Sequence, residues 1–311
     1  MEKQKVLAIV GPTCTGKTAL SLHIARQIPA EIICCDSRNV YKYFDIGSAK
    51  PSPQEQAEVP HHLIDVVEPD EDFTATMFAD QANIAIADIC SRGKLPIVCG
   101  GTGFYARALL EGLQIPQIGP QNDLRAEFKL EEEREPGSLY RKLGSLDPTT
   151  ALRLNPNDLF RIMRALEVTI AGGKPFSEQT GSTEPPYDVL WIGLNIKDRE
   201  KLKVLIHKRM QEQMDSGMLA EVESLLARFG PSQKLMVTVN YADFLKYFSG
   251  QYNLKEAVEN AEIHNYQLAT RQMKWFKTNP KINWYYVDET SFAEVQANVL
   301  NKIRQFMGSE S

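Results

Sequence analysis

The sequence predicts an α/β fold: a parallel sheet flanked by helices, interrupted by an inserted all-helical subdomain. Three observations carry that prediction. An apolar run, Val6-Leu-Ala-Ile-Val10, enters Gly11-Pro-Thr-Cys-Thr-Gly-Lys-Thr18 and leaves it through the helix-like Ala19-Leu-Ser-Leu-His-Ile-Ala25. Two further apolar runs, 30–35 and 95–99, each stop at a polar or glycine-rich turn, as buried parallel strands do. Beyond Glu111 the strand signal disappears and short polar helices take over until a new apolar run opens at Asp188. The expected layout is a P-loop NTPase-like core over 1–117 and 188–311, with a helical insertion over 118–187.

The first motif has the spacing G-x-x-x-x-G-K-[ST], with a strand before it and a helix after it, as a phosphate cradle requires. Gly11 and Gly16 let the backbone fold around an anion, so that the amides of residues 13–18 point inward past Pro12, Thr13, Cys14 and Thr15. The helix N-terminus adds roughly half a positive charge and Lys17 a whole one. The Thr18 hydroxyl can hold Mg²⁺.

The second strand, Ala30-Glu-Ile-Ile-Cys-Cys35, ends at Asp36-Ser-Arg-Asn39, the edge at which open α/β sheets bind ligands. An aspartate there can be a metal ligand. On the second strand, though, small-molecule P-loop enzymes place a carboxylate that touches the acceptor, so Asp36 is read as a base or acceptor-binding group. Residues 41–75 are proline-rich and aperiodic and read as a long ordered loop; His61 and His62 are adjacent, a poor metal pair. Phe73–Ser91 is helical. The strand Leu95–Cys99 opens into Gly100-Gly-Thr-Gly103 and a helix from Phe104, which sets Thr102 beside the first loop. In the insertion, helices are expected over 123–135, 138–143 and 158–170, with Asp158 as a cap and with Arg161 and Arg164 on one face. A strand returns at 188–194. Helices then follow, over a basic stretch ending near Met214 and over 220–229, 241–248 and 254–277. A last strand spans 281–287, and Ser291-Phe-Ala-Glu294 is a capping box.

Composition bounds the function. With 43% hydrophobic and 24% charged residues the chain is an ordinary globular protein, and no apolar stretch approaches the roughly 18 residues of a membrane span. The N-terminus runs directly into the first strand, so a cytoplasmic protein without a leader is expected. Five cysteines without C-x-x-C spacing read as reduced core residues rather than a zinc site or disulfides. The net charge of −5 argues against wrapping nucleic acid over the whole surface. Residues 197–209 carry six basic against two acidic side chains, a local excess of +4.

Taken together, the motifs closely resemble the bacterial tRNA dimethylallyltransferases (isopentenyl-adenosine synthases). The matching stretches are GPTCTGKT (11–18), DSRNVYKYFDIGSAKP (36–51), PHHLIDV (60–66), GGTGFYARALLEGL (100–113), LDP (146–148) with NPNDLFRIMRALEV (155–168), RMQEQMDSGMLAEVESL (209–225) and LATRQMKWFK (268–277). They occur in family order over almost the whole chain. The resemblance implies transfer of a dimethylallyl group from dimethylallyl diphosphate to the exocyclic amine of an adenosine beside the anticodon, in tRNAs reading codons that begin with U. It implies a diphosphate held by residues 11–18, by Lys17 and by Mg²⁺ near Thr18, with Arg209 closing over it. It implies Asp36 as the proton acceptor, positioned by Thr102, and contacts from Asp36, Ser37, Arg38, Asn39 and Thr102 to a base flipped out of its stack. Arg125, the segment Phe160-Arg161-Ile162-Met163-Arg164 and Arg271 are implied to grip the RNA, mostly through phosphates. A monomer is expected.

The chain departs from the family pattern in places. Asn39 stands where Gln is usual, and Leu205 where an arginine is expected. Val239-Asn-Tyr-Ala-Asp243 replaces I-G-Y-[KR]-E, and Asn265-Tyr-Gln-Leu-Ala-Thr-Arg-Gln272 replaces T-R-Q-Y-A-K-R-Q. These changes suggest an eroded RNA-gripping helix, hence weaker transfer or altered RNA preference. Two alternatives share the same motifs: a small-molecule P-loop kinase using ATP, and a catalytically weakened RNA-binding paralogue.

Overall fold

The computed structural model describes residues 3–308. Two compact units emerge, one formed by the chain up to Leu109 together with Pro186 onward, the other by Leu110–Pro185.

The first half of the larger unit runs β1 (Lys5–Val10), α1 (Lys17–Gln27), β2 (Ala30–Cys34), α2 (Pro53–Glu58), β3 (His61–His62), α3 (Ala75–Ser91), β4 (Leu95–Gly100) and α4 (Gly103–Leu110). The smaller unit holds β5 (Leu113–Gln114), α5 (Asn122–Arg134), α6 (Ser138–Leu146), α7 (Pro148–Ala151), α8 (Leu159–Gly172), α9 (Phe176–Gln179) and β6 (Gly181–Ser182). The chain then returns through β7 (Asp188–Asn195), α10 (Arg199–Asp215), α11 (Met218–Phe229), α12 (Gln233–Val237), α13 (Tyr241–Phe248), α14 (Leu254–Phe276), β8 (Asn283–Tyr286) and α15 (Phe292–Met307).

The six-stranded sheet has the order β3-β2-β4-β1-β7-β8, and its pairings are parallel throughout. Val6–Val10 of β1 are fully buried, which is why the run is uninterruptedly apolar: helices cover both faces of a parallel sheet. On one face Leu20 and Ile24 of α1 and Val295, Val299 and Ile303 of α15 pack on Leu7, Ile9, Ile97 and Leu194. α3 packs against β2 and β4. This arrangement brings the loop after β1 to the middle of the carboxyl edge, with the ends of β2 and β4 beside it. The closeness is enforced at Gly100, where a Cβ would lie 2.0 Å from the Cys35 carbonyl oxygen.

The stretch 41–75, expected as an ordered loop, also contains a short helix and an edge strand. Ser52 and Glu55 form a reciprocal capping box, Glu55 N donating to Ser52 Oγ at 3.2 Å and Ser52 N to Glu55 Oε2 at 2.7 Å, and it starts α2. The S-x-x-E spacing was legible but lay inside a proline-rich run. β3 then adds an edge strand to the sheet. His62 is structural: with Arg92 and Lys94 it surrounds the buried Glu31 carboxylate. Arg92 above all, then Lys94 and His62, outweigh burial and hold that carboxyl far below the usual range. The stability it contributes is therefore present above the ordinary glutamate range and lost only as pH falls towards the depressed value. Glu31→Ala is expected to cost roughly 2–3 kcal/mol in urea denaturation at pH 7. That lies below the 3–5 of a fully enclosed pair, because Arg92 and Lys94 stay partly exposed. A loss under about 0.5 kcal/mol would remove the cluster from the account.

The smaller unit starts at Leu110 and ends at Pro185, outside the expected start at 118 and inside the expected end at 187. It is helical except for the antiparallel pair β5–β6, which joins its first and last segments. Its core is Phe128, Leu139, Leu143, Ala151, Ile162, Ala165 and Leu166. Asp158 caps α8 as expected, accepting from Arg161 N.

Candidate active site

The cradle forms where β1 ends and α1 begins. Thr15 Oγ1 and Lys17 Nζ both donate to the Pro12 carbonyl oxygen, at 2.9 and 2.6 Å, and Leu20 N donates to Gly16 O at 2.9 Å, so the loop closes on itself around Pro12. Gly16 has φ +87°, and a Cβ there would sit 2.9 Å from the Phe292 ring. Only glycine combines that backbone with that neighbour. Burial pushes the Lys17 ammonium below its ordinary pKa, and nearby Arg209 adds to the effect while Asp36 opposes it. A half-buried cation so placed is stabilised by an incoming polyanion.

Two distant helices brace the cradle. Arg209 of α10 donates to Thr13 Oγ1 at 2.8 Å, and Gln272 of α14 accepts from Thr13 N at 2.9 Å. The first contact places Arg209 against the glycine-lysine loop. The second corrects the expected anion shell, because the Thr13 amide is already taken by Gln272 and the amides left for a ligand begin at Cys14. Nothing in the spacing of Gln272 announces this role.

Asp36 lies two residues past the end of β2. Its Oδ1 accepts from Arg38 N at 2.8 Å, an Asx-type turn, while Oδ2 has no hydrogen-bond partner among the described residues. The Gly100–Gly103 turn clips onto the same segment: Thr102 N donates to Cys35 O at 3.2 Å, and Ser37 N donates to Thr102 Oγ1 at 3.0 Å. Thr102 thus fixes the backbone beside the carboxylate. Asn39 is buried, with Nδ2 on Cys34 Sγ at 3.4 Å and Oδ1 unpartnered. Burial raises the thiol pKa of Cys34, Cys35 and Cys99, which remain protonated and unreactive.

Lys17, Thr18, Asp36, Thr102, Arg209 and Arg271 all line one cleft of about 690 Å³. Ser37, Arg38 and Asn39 line it too, and so do Gln213, Asn240 and Asn265, which sequence reasoning did not single out. Arg271 is exposed.

The residues expected to grip RNA within the smaller unit separate into two groups. Ile162 is fully buried in that unit's core and is unavailable to any ligand. Arg125 and Arg164 do not project freely from one face. Both bind the buried Glu167 carboxylate, which also accepts from Gln121 N, and Arg164 donates to Ile118 O at 2.7 Å. Burial alone would raise the Glu167 pKa, but Arg125, the Gln121 amide and Arg164 outweigh it and hold the carboxyl low. Met163 packs on the same core. Phe160 and Arg161 are exposed, Phe160 by 74%. Half of the six basic side chains over 197–209 sit in surface ion pairs, Lys197 with Glu289, Lys203 with Glu200 and Lys208 with Glu212, each worth little. Only Arg209 turns to the cleft. Two of the departing segments touch: Asn240, just before α13, bonds Asn265 of α14, and Asp243 of α13 pairs with the neighbouring His264.

The chain is similar to known proteins over nearly its full length. A family model described as IPP transferase matches residues 39–279, and one described as isopentenyl transferase matches 4–65. A tRNA dimethylallyltransferase of Roseiflexus castenholzii is 46% identical over 279 residues, 89% of this chain and 91% of that protein. The crystal structure of a full-length tRNA isopentenylpyrophosphate transferase from Bacillus halodurans superposes with a TM-score of 0.73 at 32% identity, covering 97% of this chain and 96% of that one. A eukaryotic dimethylallyltransferase acting on tRNA superposes with a TM-score of 0.80 at 26% identity, covering 99% of this chain and 80% of that one.

Proposed function

The chain belongs to the tRNA dimethylallyltransferase family, and from that premise we propose how its cleft carries out the transfer. Dimethylallyl diphosphate lies with its phosphates on the amides of residues 14–18 and against Lys17 and Arg209. The exocyclic amine of a flipped adenosine beside the tRNA anticodon attacks the allylic carbon. As the new C–N bond forms, the allylic C–O bond breaks and its electron pair leaves with diphosphate. The proton shed by the nitrogen passes to Asp36. The products are N6-(dimethylallyl)adenosine and diphosphate. Preorganised amides and cations at the departing diphosphate act where charge develops, which is where electrostatic stabilisation accelerates a reaction most. Thr102 holds the Asp36 turn in position for proton transfer.

The observation that carries the reading is the sharing of one cleft by Lys17, Arg209 and Asp36. An anion cradle and a carboxylate with a free oxygen there face the same space. Among the described residues no cluster of three or more His, Cys, Asp and Glu side chains could hold a metal ion. The donor proposed for Mg²⁺ is the Thr18 hydroxyl, at the start of α1 and on the wall of the cleft. A single oxygen suits Mg²⁺, which keeps several waters and binds largely through substrate phosphates. When bound, it would supply further positive charge to the leaving group.

Phe160, Arg161 and Arg271 are the exposed groups proposed to contact the tRNA. Among the described residues no helix is long and apolar enough to cross a membrane. A tRNA acceptor supports action in the cytoplasm.

Incubation with unmodified tRNA, dimethylallyl diphosphate and Mg²⁺, followed by nucleoside mass analysis, is expected to yield dimethylallyladenosine. Phosphate transfer from ATP with no prenylated nucleoside would instead favour a kinase, an alternative that none of the three relatives above supports.

A further inference from the structure

Trp275 of α14 and Phe104 at the start of α4 are large aromatic side chains that stay 36% and 39% exposed. Their ring centroids lie 6.0 Å apart with the planes at 50°, and the Arg107 guanidinium sits 5.9 Å from the centre of the indole. Apolar side chains scattered singly over a surface need no explanation. Two aromatics and a guanidinium gathered at one place mark a contact surface.

Packing fixes this patch to the wall of the cleft. A Cβ at Gly103 would lie 2.7 Å from Trp275 Cβ, and one at Gly101 would collide with the Gln272 carboxamide, so α14 lies directly on the glycine turn. Gly101, Thr102, Arg271 and Gln272 all line the cleft. Thr102 comes two residues before Phe104, and Arg271 one helical turn before Trp275, so the aromatic pair continues that wall outward. Arg271, Lys274 and Lys277 of the same stretch are exposed. Positive charge beside exposed rings suits a ligand that carries both phosphates and bases.

A base drawn out of its stack leaves its neighbours without one stacking partner. An aromatic side chain can take that partner's place, and it does so with little regard to which base it meets, because every base has a π-face. Base faces are open in a single-stranded loop and closed in a paired stem. We propose that Phe104 and Trp275 form a stacking platform for the nucleotide next to the adenosine that enters the cleft. The proposal rests on the cleft being the site of transfer to tRNA and adds a nucleobase subsite at its rim.

The test measures the dissociation constant of an unmodified anticodon stem-loop RNA, intact or with an abasic residue on one or the other side of the target adenosine. Trp275→Ala is expected to bind the intact RNA at least about tenfold more weakly, as loss of one base–aromatic stack does. Trp275→Phe, which keeps a ring, should stay within about threefold of the parent. On the RNA that lacks the stacked base, Trp275→Ala and the parent should bind within about twofold of each other, because the stack is already gone. Affinity for inorganic diphosphate should be unchanged in every variant. A loss in Trp275→Ala that keeps its full size on both abasic RNAs overturns the proposal, and so does parental affinity for the intact RNA. A parallel loss of diphosphate binding overturns it too, by making the indole a prop for the glycine turn. Should thermal melting show that Trp275→Ala does not fold, Phe104→Ala decides on the same RNAs, with a loss of about threefold or more expected on the intact one. A parent that binds none of the RNAs would instead sink the transfer reading itself, which separates the two failures.

Discussion

Asp36→Asn is expected to lower the rate of dimethylallyl transfer by about 10²–10⁴-fold, the range general-base catalysis contributes. Asparagine keeps an oxygen that can still accept from Arg38 N, at 2.8 Å in the parent, so the turn after β2 should survive. Thr102 should also still hold Ser37, since that contact uses the backbone amide. What disappears is the ability to accept a proton at Oδ2. Single-turnover transfer to tRNA measures the loss, and calorimetry with inorganic diphosphate checks that the cradle is intact. A variant within about threefold of the parent would show that Asp36 is not the proton acceptor, and the cleft would need another base.

Lys17→Met is expected to reduce transfer by about 10²–10³-fold, as removal of one preorganised donor at a developing negative charge does. Its effect on stability should have the opposite sign. Burial lowers the Lys17 pKa from its ordinary 10.5, so the folded protein binds this proton less tightly than the unfolded chain does. The charge therefore costs stability at neutral pH, and that cost fades as pH rises through the depressed value towards 10.5. Without ligand, Lys17→Met should be at least as stable as the parent at pH 7. Diphosphate reverses the balance by favouring the ammonium. Binding should take up protons as pH approaches the alkaline range, seen by calorimetry in buffers of different ionisation enthalpy. Proton release on binding, or no pH dependence in the parent, would contradict the assignment of Lys17 to the anion.

Both experiments rest on features that short windows of sequence made legible. The cradle needs two glycines, a lysine and a threonine at set spacings after a strand, and all lie within eight residues of one another. Asp36 was legible because an apolar run stopped there, and the caps at Asp158 and Ser291 because their hydrogen bonds close within three residues. The departures at 239–243 and 265–272 read as separate losses in the sequence, since one segment viewed alone does not show what it packs against. In space Asn240 bonds Asn265, and Asp243 pairs with His264 one residue before that segment.

The sequence by itself determined the layers, the cradle, the carboxylate and the helical insertion, because each is written in hydrophobic period, caps and turn residues that act over a few positions. Tertiary structure alone decided which side chains complete the cleft. Gln272 reaches Thr13 across 259 positions and Arg209 reaches it across 196, while Arg125 and Arg164 are drawn to the buried Glu167. The reason is that a polar side chain bonds whatever partner packing brings within about 3 Å, and that partner is selected by how helices settle on the sheet.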